Sequence, residues 1–549
     1  MIAVLAIAAT PYFVKLGASS LWDSNEAFYA ETPREMIESH DYVNPTFNYR
    51  ARLNKPPLSY WIVAPFYLLL GVSEAAQRLP IVLGAMILLS TAYGLGRAVY
   101  SVDAGLLAAI GMAAAPRFLM FSRRIMIDVY LAVFMGLALL MFVLAEKRPE
   151  RRRLYLILMY AALGLGVMTK GPVAVVLPAA ALTIYLLIYR RFDKLRDLML
   201  PAGLIIIAAI VLPWYVAIYF QHGWGHIQTF ILQDNISRYT QAVWGPRRGL
   251  FFYFPAVMGD FFPWSLFMVP LAWLGVRRLW LFYRGERQSS SDLSGSAMLA
   301  IWIAVIFVFF SISKSKEDLY ILPIYPAAAA LVGGLLAAGF TGQPLGHVRF
   351  TTLSLAAGLA ASGVVILVLF DDGTRLYEIE GANLIGYFAI LGGLITATAA
   401  ILARTRSAIL ASALTVAACN WVFVMRALPD FERFKPVRPL CEVITAEAGP
   451  DALVGYYRTA YPSMVFYLGR PIFEYYHQAE IEAAFTAGKQ VFCIMNESEY
   501  EAFKSRVPVQ TRVLASHPIF RVKLNGILDT VELPRVVLIS NKGGTDVTQ

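Results

Sequence analysis

Trp22-Asp23-Ser24-Asn25-Glu26-Ala27-Phe28-Tyr29-Ala30-Glu31, taken up again at Asn54-Lys55-Pro56-Pro57, decides how this chain is read. It follows one short apolar segment, Ile2–Phe13, and precedes a long series of apolar runs. Carboxylates, an amide and a lysine crowded between such runs lie at the depth of lipid headgroups. A membrane protein keeps ionisable groups there for chemistry or for a charged lipid. Each proline after Lys55 fixes its own φ, and Pro56 also pushes its predecessor to extended geometry, so the lysine is held stiffly.

Composition sets the frame around that loop. Of 549 residues, 58% are hydrophobic and 15% charged, and mean hydropathy is +0.59. A soluble chain carries about a quarter charged residues, so the fold class is a polytopic α-helical membrane protein. The net charge of +10 does not call for nucleic acid. Lys and Arg gather in short loops between apolar runs, where they orient spans and meet anionic headgroups. Cys419, Cys441 and Cys493 are too widely spaced for a zinc site or a disulfide framework.

Thirteen apolar runs read as spans, with Tyr60–Gly71 too short to cross and placed in the interface. The most basic loops are Lys147–Arg153, Arg190–Arg196 and Arg277–Arg287. Keeping these in the cytoplasm, with the N-terminus inside, gathers five segments on the opposite face. They are the first loop (18–78), Asp128, Thr169–Pro172, the loop 221–250 and Ser313–Asp318. The expected division is a transmembrane domain over 1–428 and a small α/β domain over 429–549 on that same outer face, acting as a lid or platform. Leu453–Tyr457, Pro471–Tyr475, Gln490–Ile494 and Arg535–Ile539 read as its strands, and Ala479–Ala487 and Ser498–Arg506 as its helices.

The outer face then holds Asp23, Glu26, Glu31 and Asp128 together with Lys55, Arg123, Arg124, Lys170, Arg238, Arg247, Arg248, Lys314 and Lys316. Transfer of a group from a lipid phosphate needs such a set. Cations meet the charge of the leaving phosphate, and a carboxylate takes the proton of an incoming hydroxyl. His222 and His226 could mimic a metal pair, but His-Gly-Trp-Gly-His is a poor helix and has no acidic third ligand nearby.

The acidic first loop followed by Lys-Pro-Pro resembles the polyprenyl-phosphate-dependent GT-C glycosyltransferases. Among these it is most similar to the protein O-mannosyltransferase and lipid A aminoarabinose transferase branch. Aligned on Tyr29-Ala30-Glu31, Glu26 falls on the family's glutamate and Asn25 on its catalytic aspartate. An amide is no general base, so the base is sought in Asp128, which matches the family's second acidic position, then in Asp23, then in Glu26. An N-cap for the following helix is the plain alternative for Asp23.

The resemblance further implies contact with lipid phosphate or sugar for Lys55, Arg238 or Arg247, Tyr239, Lys316, Tyr320, Tyr29 and Arg124. Asn54 stands where the aminoarabinose transferases carry an acidic residue tied to a metal. No metal ligand is therefore assigned, and an essential divalent cation is disfavoured. Thr169-Lys170-Gly171-Pro172 and Gly259–Trp264 read as structural span ends.

What this implies is a bacterial inner-membrane enzyme working on the periplasmic face as a monomer. Its donor would be a polyprenyl-phosphate sugar, transferred with inversion, and its acceptor lipid A or another envelope lipid or glycan. Two rivals stand beside it. One is a protein O-glycosyltransferase with the same donor. The other is a charged-lipid transporter, against which the spans offer few midplane charges and no inverted repeat.

Overall fold

A computed structural model describes residues 1–192, 194–241, 248–284, 293–340, 346–370, 377–506, 510–520 and 533–541. The first helices are α1 (Ile2–Ala9), α2 (Asn25–Ser39), α3 (Leu58–Leu70), α4 (Glu74–Val99), α5 (Val102–Ala114), α6 (Pro116–Ser122), α7 (Ile127–Lys147), α8 (Arg152–Lys170) and α9 (Val173–Ile188). Next come α10 (Lys194–Asp197), α11 (Leu200–His222) and α12 (Trp224–Ile231). Ser73 and Ser101 cap α4 and α5, accepting from the N–H groups of Ala76 and Ala104.

Among the described residues nine helices are long and apolar enough to cross a membrane, and eleven if each of two bent pairs counts as one span. The expected thirteen is reached only if the shorter Ile2–Tyr12 and Val173–Ile188 cross as well. The first bend, 70° between α5 and α6, falls at Ala115-Pro116. There Ala115 is extended, as a residue before proline prefers, and Pro116 opens a new helix. The second, 117°, separates Leu250–Asp260 from Trp264–Arg277.

Spans pack through small residues. A Cβ on Gly333 would sit 2.2 Å from the Ala104 carbonyl oxygen of α5, so the helix Tyr325–Phe340 comes in at backbone contact. Between α2 and α3 lies a small hairpin, β1 (Thr46–Phe47) and β2 (Arg50–Ala51). Its two-residue turn places Asn48 and Tyr49 at φ 56° and 59°, the geometry that matches strand twist.

The C-terminal part is a five-stranded sheet. Its strands are β3 (Leu453–Tyr457), β4 (Phe473–Tyr475), β5 (Val491–Asn496), β6 (Arg512–Pro518) and β7 (Arg535–Ser540), in the order β4-β3-β5-β7-β6. β3 pairs in parallel with β4 and β5, whereas β7 is antiparallel to β5 and β6. Helices Gln478–Thr486 and Glu497–Lys504 pack with it, close to the expected positions. β6 and the helix Val437–Glu447 were not foreseen.

The sheet domain is fastened to the first loop. Asn48 and Ile472 exchange two hydrogen bonds of 2.8 Å. Leu21 N–H donates to Tyr467 Oη at 2.7 Å, and Phe47 is buried in the domain's own core.

Candidate active site

α8 ends at Lys170 because Gly171 takes φ 116°, which side-chain-bearing residues avoid. Gly171 also has no room for a Cβ, which would lie 2.9 Å from Cζ of Phe230 on α12. The terminal Lys170 ammonium therefore points into the loops. It donates to Asp128 Oδ1 and lies 4.2 Å from the centroid of the Tyr320 ring. Asp128 sits in the first turn of α7, where unpaired N–H groups favour a carboxylate, and is 8% exposed.

Lys55 enters from the Lys-Pro-Pro turn. It is 7% exposed, with Nζ 5.8 Å from the Phe230 ring centroid. Burial pushes its ammonium down to about 7. The Asp234 carboxylate opposes that shift, and the neighbouring charges of Arg238, Lys170 and Arg52 add to it. Tyr29 stacks on Tyr60 at 5.8 Å and feels Arg52, Asp128 and Arg238. Burial raises its phenol, so it stays a neutral donor.

Lys55, Lys170, Arg238, Asp128, Tyr29 and Tyr320 thus meet around one spot. Its four cations, Arg52 included, face Asp128 and Asp234, with Glu317 also near Asp128 and Arg238. Burial first, and the neighbouring cations second, lower the Lys55 ammonium. A phosphate dianion would oppose that shift.

Other expected site residues are placed elsewhere. Glu26 is fully buried in a two-point ion pair with Arg78 at 2.8 and 3.0 Å, and also accepts from the N–H of Trp22. Those bonds hold its carboxyl below the usual range against the cost of burial, and they occupy both oxygens. Asp23 accepts from the N–H (2.8 Å) and Oγ (2.5 Å) of Ser463 in the C-terminal domain. Burial lifts its carboxyl to about 7 in spite of those bonds. Asn25 opens α2 and is exposed.

Lys316 donates to the carbonyls of Ser313 and Arg248, within its own loop and the neighbouring one. Tyr239 packs on Phe309 at 4.6 Å. Arg124 stacks on Trp22, 3.7 Å from its ring centroid, among Glu26, Arg78 and Arg117 rather than the Lys55 group. Arg247 lies outside the described residues.

Asn54 Oδ1 is buried without a partner beside Lys55, and His222 Nε2 lies 2.6 Å from Asn44 Oδ1. Among the described residues no three His, Cys, Asp or Glu side chains converge as metal ligands do.

Arg52, Asp234, Phe230 and the contact of Lys170 with Asp128 carry no signal of their own in the sequence. Lys170 was visible among the outer cations, but its Thr-Lys-Gly-Pro setting read as a span end. Only the fold brings it to a carboxylate 42 residues away.

The chain is similar to several known proteins. Residues 1–231 match the family model described as dolichyl-phosphate-mannose-protein mannosyltransferase. An uncharacterized protein of Aquifex aeolicus is 28% identical over 380 residues, covering 69% of this chain and 71% of its own. The undecaprenyl phosphate-alpha-4-amino-4-deoxy-L-arabinose arabinosyl transferases of Edwardsiella ictaluri and Erwinia tasmaniensis are each 28% identical, over 68% and 66% of this chain. The chain spans 66% and 64% of their lengths, just under two thirds. ArnT from Cupriavidus metallidurans bound to undecaprenyl phosphate superposes with a TM-score of 0.79 at 22% identity, over 100% of this chain and 99% of that one. Its apo state gives 0.76 over 98% and 97%. The chain has that fold.

Proposed function

We infer that this ArnT-like membrane protein of the GT-C fold is a glycosyltransferase that moves a sugar from a polyprenyl phosphate to an envelope acceptor. The observation that carries the reading is the buried excess of cations around Lys55, set against Asp128 and reached from loops at the ends of spans. Undecaprenyl phosphate is the carrier that the structural relative holds, and aminoarabinose is the sugar named in its sequence relatives.

The donor phosphate lies among Lys55, Arg238 and Lys170, with Tyr29 and Tyr320 flanking the sugar. Asp128 faces the acceptor and takes its proton as the acceptor oxygen attacks the anomeric carbon. The bond to the phosphate oxygen breaks in the same displacement, the anomeric centre inverts, and the polyprenyl phosphate leaves with its charge met by the cations. Asp23 and Glu26, each held by other partners, act in support. Lipid A is the acceptor we favour, on the periplasmic face of a bacterial inner membrane, with the protein a monomer and residues 429–549 a periplasmic domain. A protein acceptor is the second reading, favoured by the description of the family model over residues 1–231.

Purified protein given undecaprenyl-phosphate sugars with lipid A or a Ser/Thr peptide tests this. Transfer to lipid A that is lost in Asp128→Asn and Lys55→Ala, with Asp23→Asn still active, supports it. Binding of undecaprenyl phosphate with no transfer to any acceptor overturns it.

A further inference from the structure

A second basic group lies away from the Lys55 spot, between the loop at Trp22, the end of α6 and the C-terminal end of the last span, Thr405–Phe434. It surrounds a cavity of about 20 Å³ lined by Trp22, Arg123, Arg124, Met120, Phe423 and Leu428, among others. We propose that this cleft binds a phosphate group of the acceptor lipid, an assignment that rests on the lipid-acceptor reading above.

The charges there are unequally used. Arg78 is spent on Glu26 and on the carbonyls of Leu16, Ser19 and Ser20. Lys435 donates to Ser19 Oγ and the Ser20 carbonyl while lying 3.8 Å from the Trp22 ring centroid. Arg123 gives its Nη groups to the carbonyls of Pro11, Tyr12 and Lys15, yet its buried Nε has no acceptor. Arg124, stacked flat on Trp22, has no acceptor among the described residues.

Four cations thus stand among the carboxylates of Asp23, Glu26, Glu74 and Glu432, and the two arginines with open donors both line the cavity. A buried donor without an acceptor, as Arg123 Nε is, is uncommon and costly and calls for a ligand or an ordered water. Burial also pulls the Arg124 guanidinium down to about 10, a cost that an anion repays.

A phosphate suits the fork of Arg124 and the open Nε of Arg123. The cavity admits one water-sized group, so one phosphoryl oxygen enters and the rest of the headgroup stays at the mouth. Met120, Phe423 and Leu428 line the same cleft beside the end of the last span, which suits a phosphate carried on acyl chains rather than a free anion.

The arrangement also explains a link along the chain. Arg124 and Asp128 are four residues apart. Between them Ile125 is buried, its N–H pointing at Glu26 Oε1 at 3.4 Å. Arg124 and Asp128 thus share one short segment, anchored at Glu26.

The test measures binding to the full-length protein in nanodiscs, using lipid A, dephosphorylated lipid A, undecaprenyl phosphate and inorganic phosphate. Arg124→Gln is expected to weaken lipid A about tenfold, the worth of one charge-assisted contact, and to leave undecaprenyl phosphate unchanged. Met120→Trp fills the cleft without altering charge and should give the same loss, which keeps the test standing if Arg124→Gln folds poorly. Dephosphorylated lipid A should bind wild type as weakly as lipid A binds the variants.

The assignment is overturned if both variants bind lipid A like wild type, or if undecaprenyl phosphate is lost in parallel. It is equally overturned if inorganic phosphate shows the Arg124 dependence and lipid A does not. A wild type that binds lipid A through Arg124 yet transfers no sugar sinks the enzymatic reading and leaves this site standing.

Discussion

Lys55 is a cation that its surroundings hold ready to lose its proton. Burial first, then Arg238, Lys170 and Arg52, bring it to about 7 in the free protein. A bound phosphate supplies the missing negative charge and holds the proton on. Donor binding therefore takes up a proton once the free lysine is neutral, so affinity for undecaprenyl phosphate falls as pH rises above about 7, by up to about tenfold per unit. In Lys55→Arg the group stays charged and that component disappears. Titrating the dissociation constant of both proteins from pH 6 to 9 checks this, because ionisation of the lipid itself is common to the two curves. Parallel curves would reject it. The carboxylates separate just as clearly. Asp128→Asn removes the proposed base and should lower turnover by about 10²–10⁴-fold, while Lys170 loses its partner. Glu26→Gln breaks a buried ion pair and should cost about 3–5 kcal/mol of stability, read as a lower melting temperature.

Among the elements, the end of α8 positions the most with the fewest atoms. Gly171→Ala asks a β-carbon to adopt φ 116° and to enter the space of Phe230. The substitution should lower the melting temperature and also weaken undecaprenyl phosphate binding, since Phe230 lies against Lys55. Melting and binding measured on one preparation check it, and a change in melting alone would disconnect α8 from the donor site. The sequence shows that a helix stops here, because Gly and Pro following an apolar run leave little choice. It does not show that Lys170 meets Asp128, since that contact depends on how α7 and α8 pack. The same division runs through the C-terminal sheet. Strands β3, β5 and β7 are apolar runs buried along their length and were legible. β6, Arg512–Pro518, is a half-exposed edge strand without alternation that ends in proline, and it carries no such signal.

At the scale of the whole molecule, the membrane domain holds every group around Lys55 and Asp128, while the C-terminal domain grips the loop that carries Asp23. The resemblance pointed to the first loop. It could not tell a carboxylate that faces the cations around Lys55 from one that serves as a clasp, because both are acidic residues near the same interface. Asp23 is the clasp, and its titration gives the docking a pH dependence. Burial raises its carboxyl to about 7, with Glu26 pushing the same way and Lys435 and the Ser463 bonds opposing. Tyr461 and Cys441 also face it, and both are themselves pushed up by burial. A carboxyl raised on docking binds its proton more tightly in the docked state. Docking is thus strongest in the ordinary carboxylate range and loses stability as pH climbs through 7. Hydrogen exchange of residues 461–475, corrected for its intrinsic pH dependence, should rise between pH 5 and 8 in the wild type. Asp23→Asn, which cannot ionise, should flatten that rise, and Asn48→Ala should lift exchange at every pH by removing the paired bonds to Ile472. Equal slopes in wild type and Asp23→Asn would mean that another group governs the contact between the two domains.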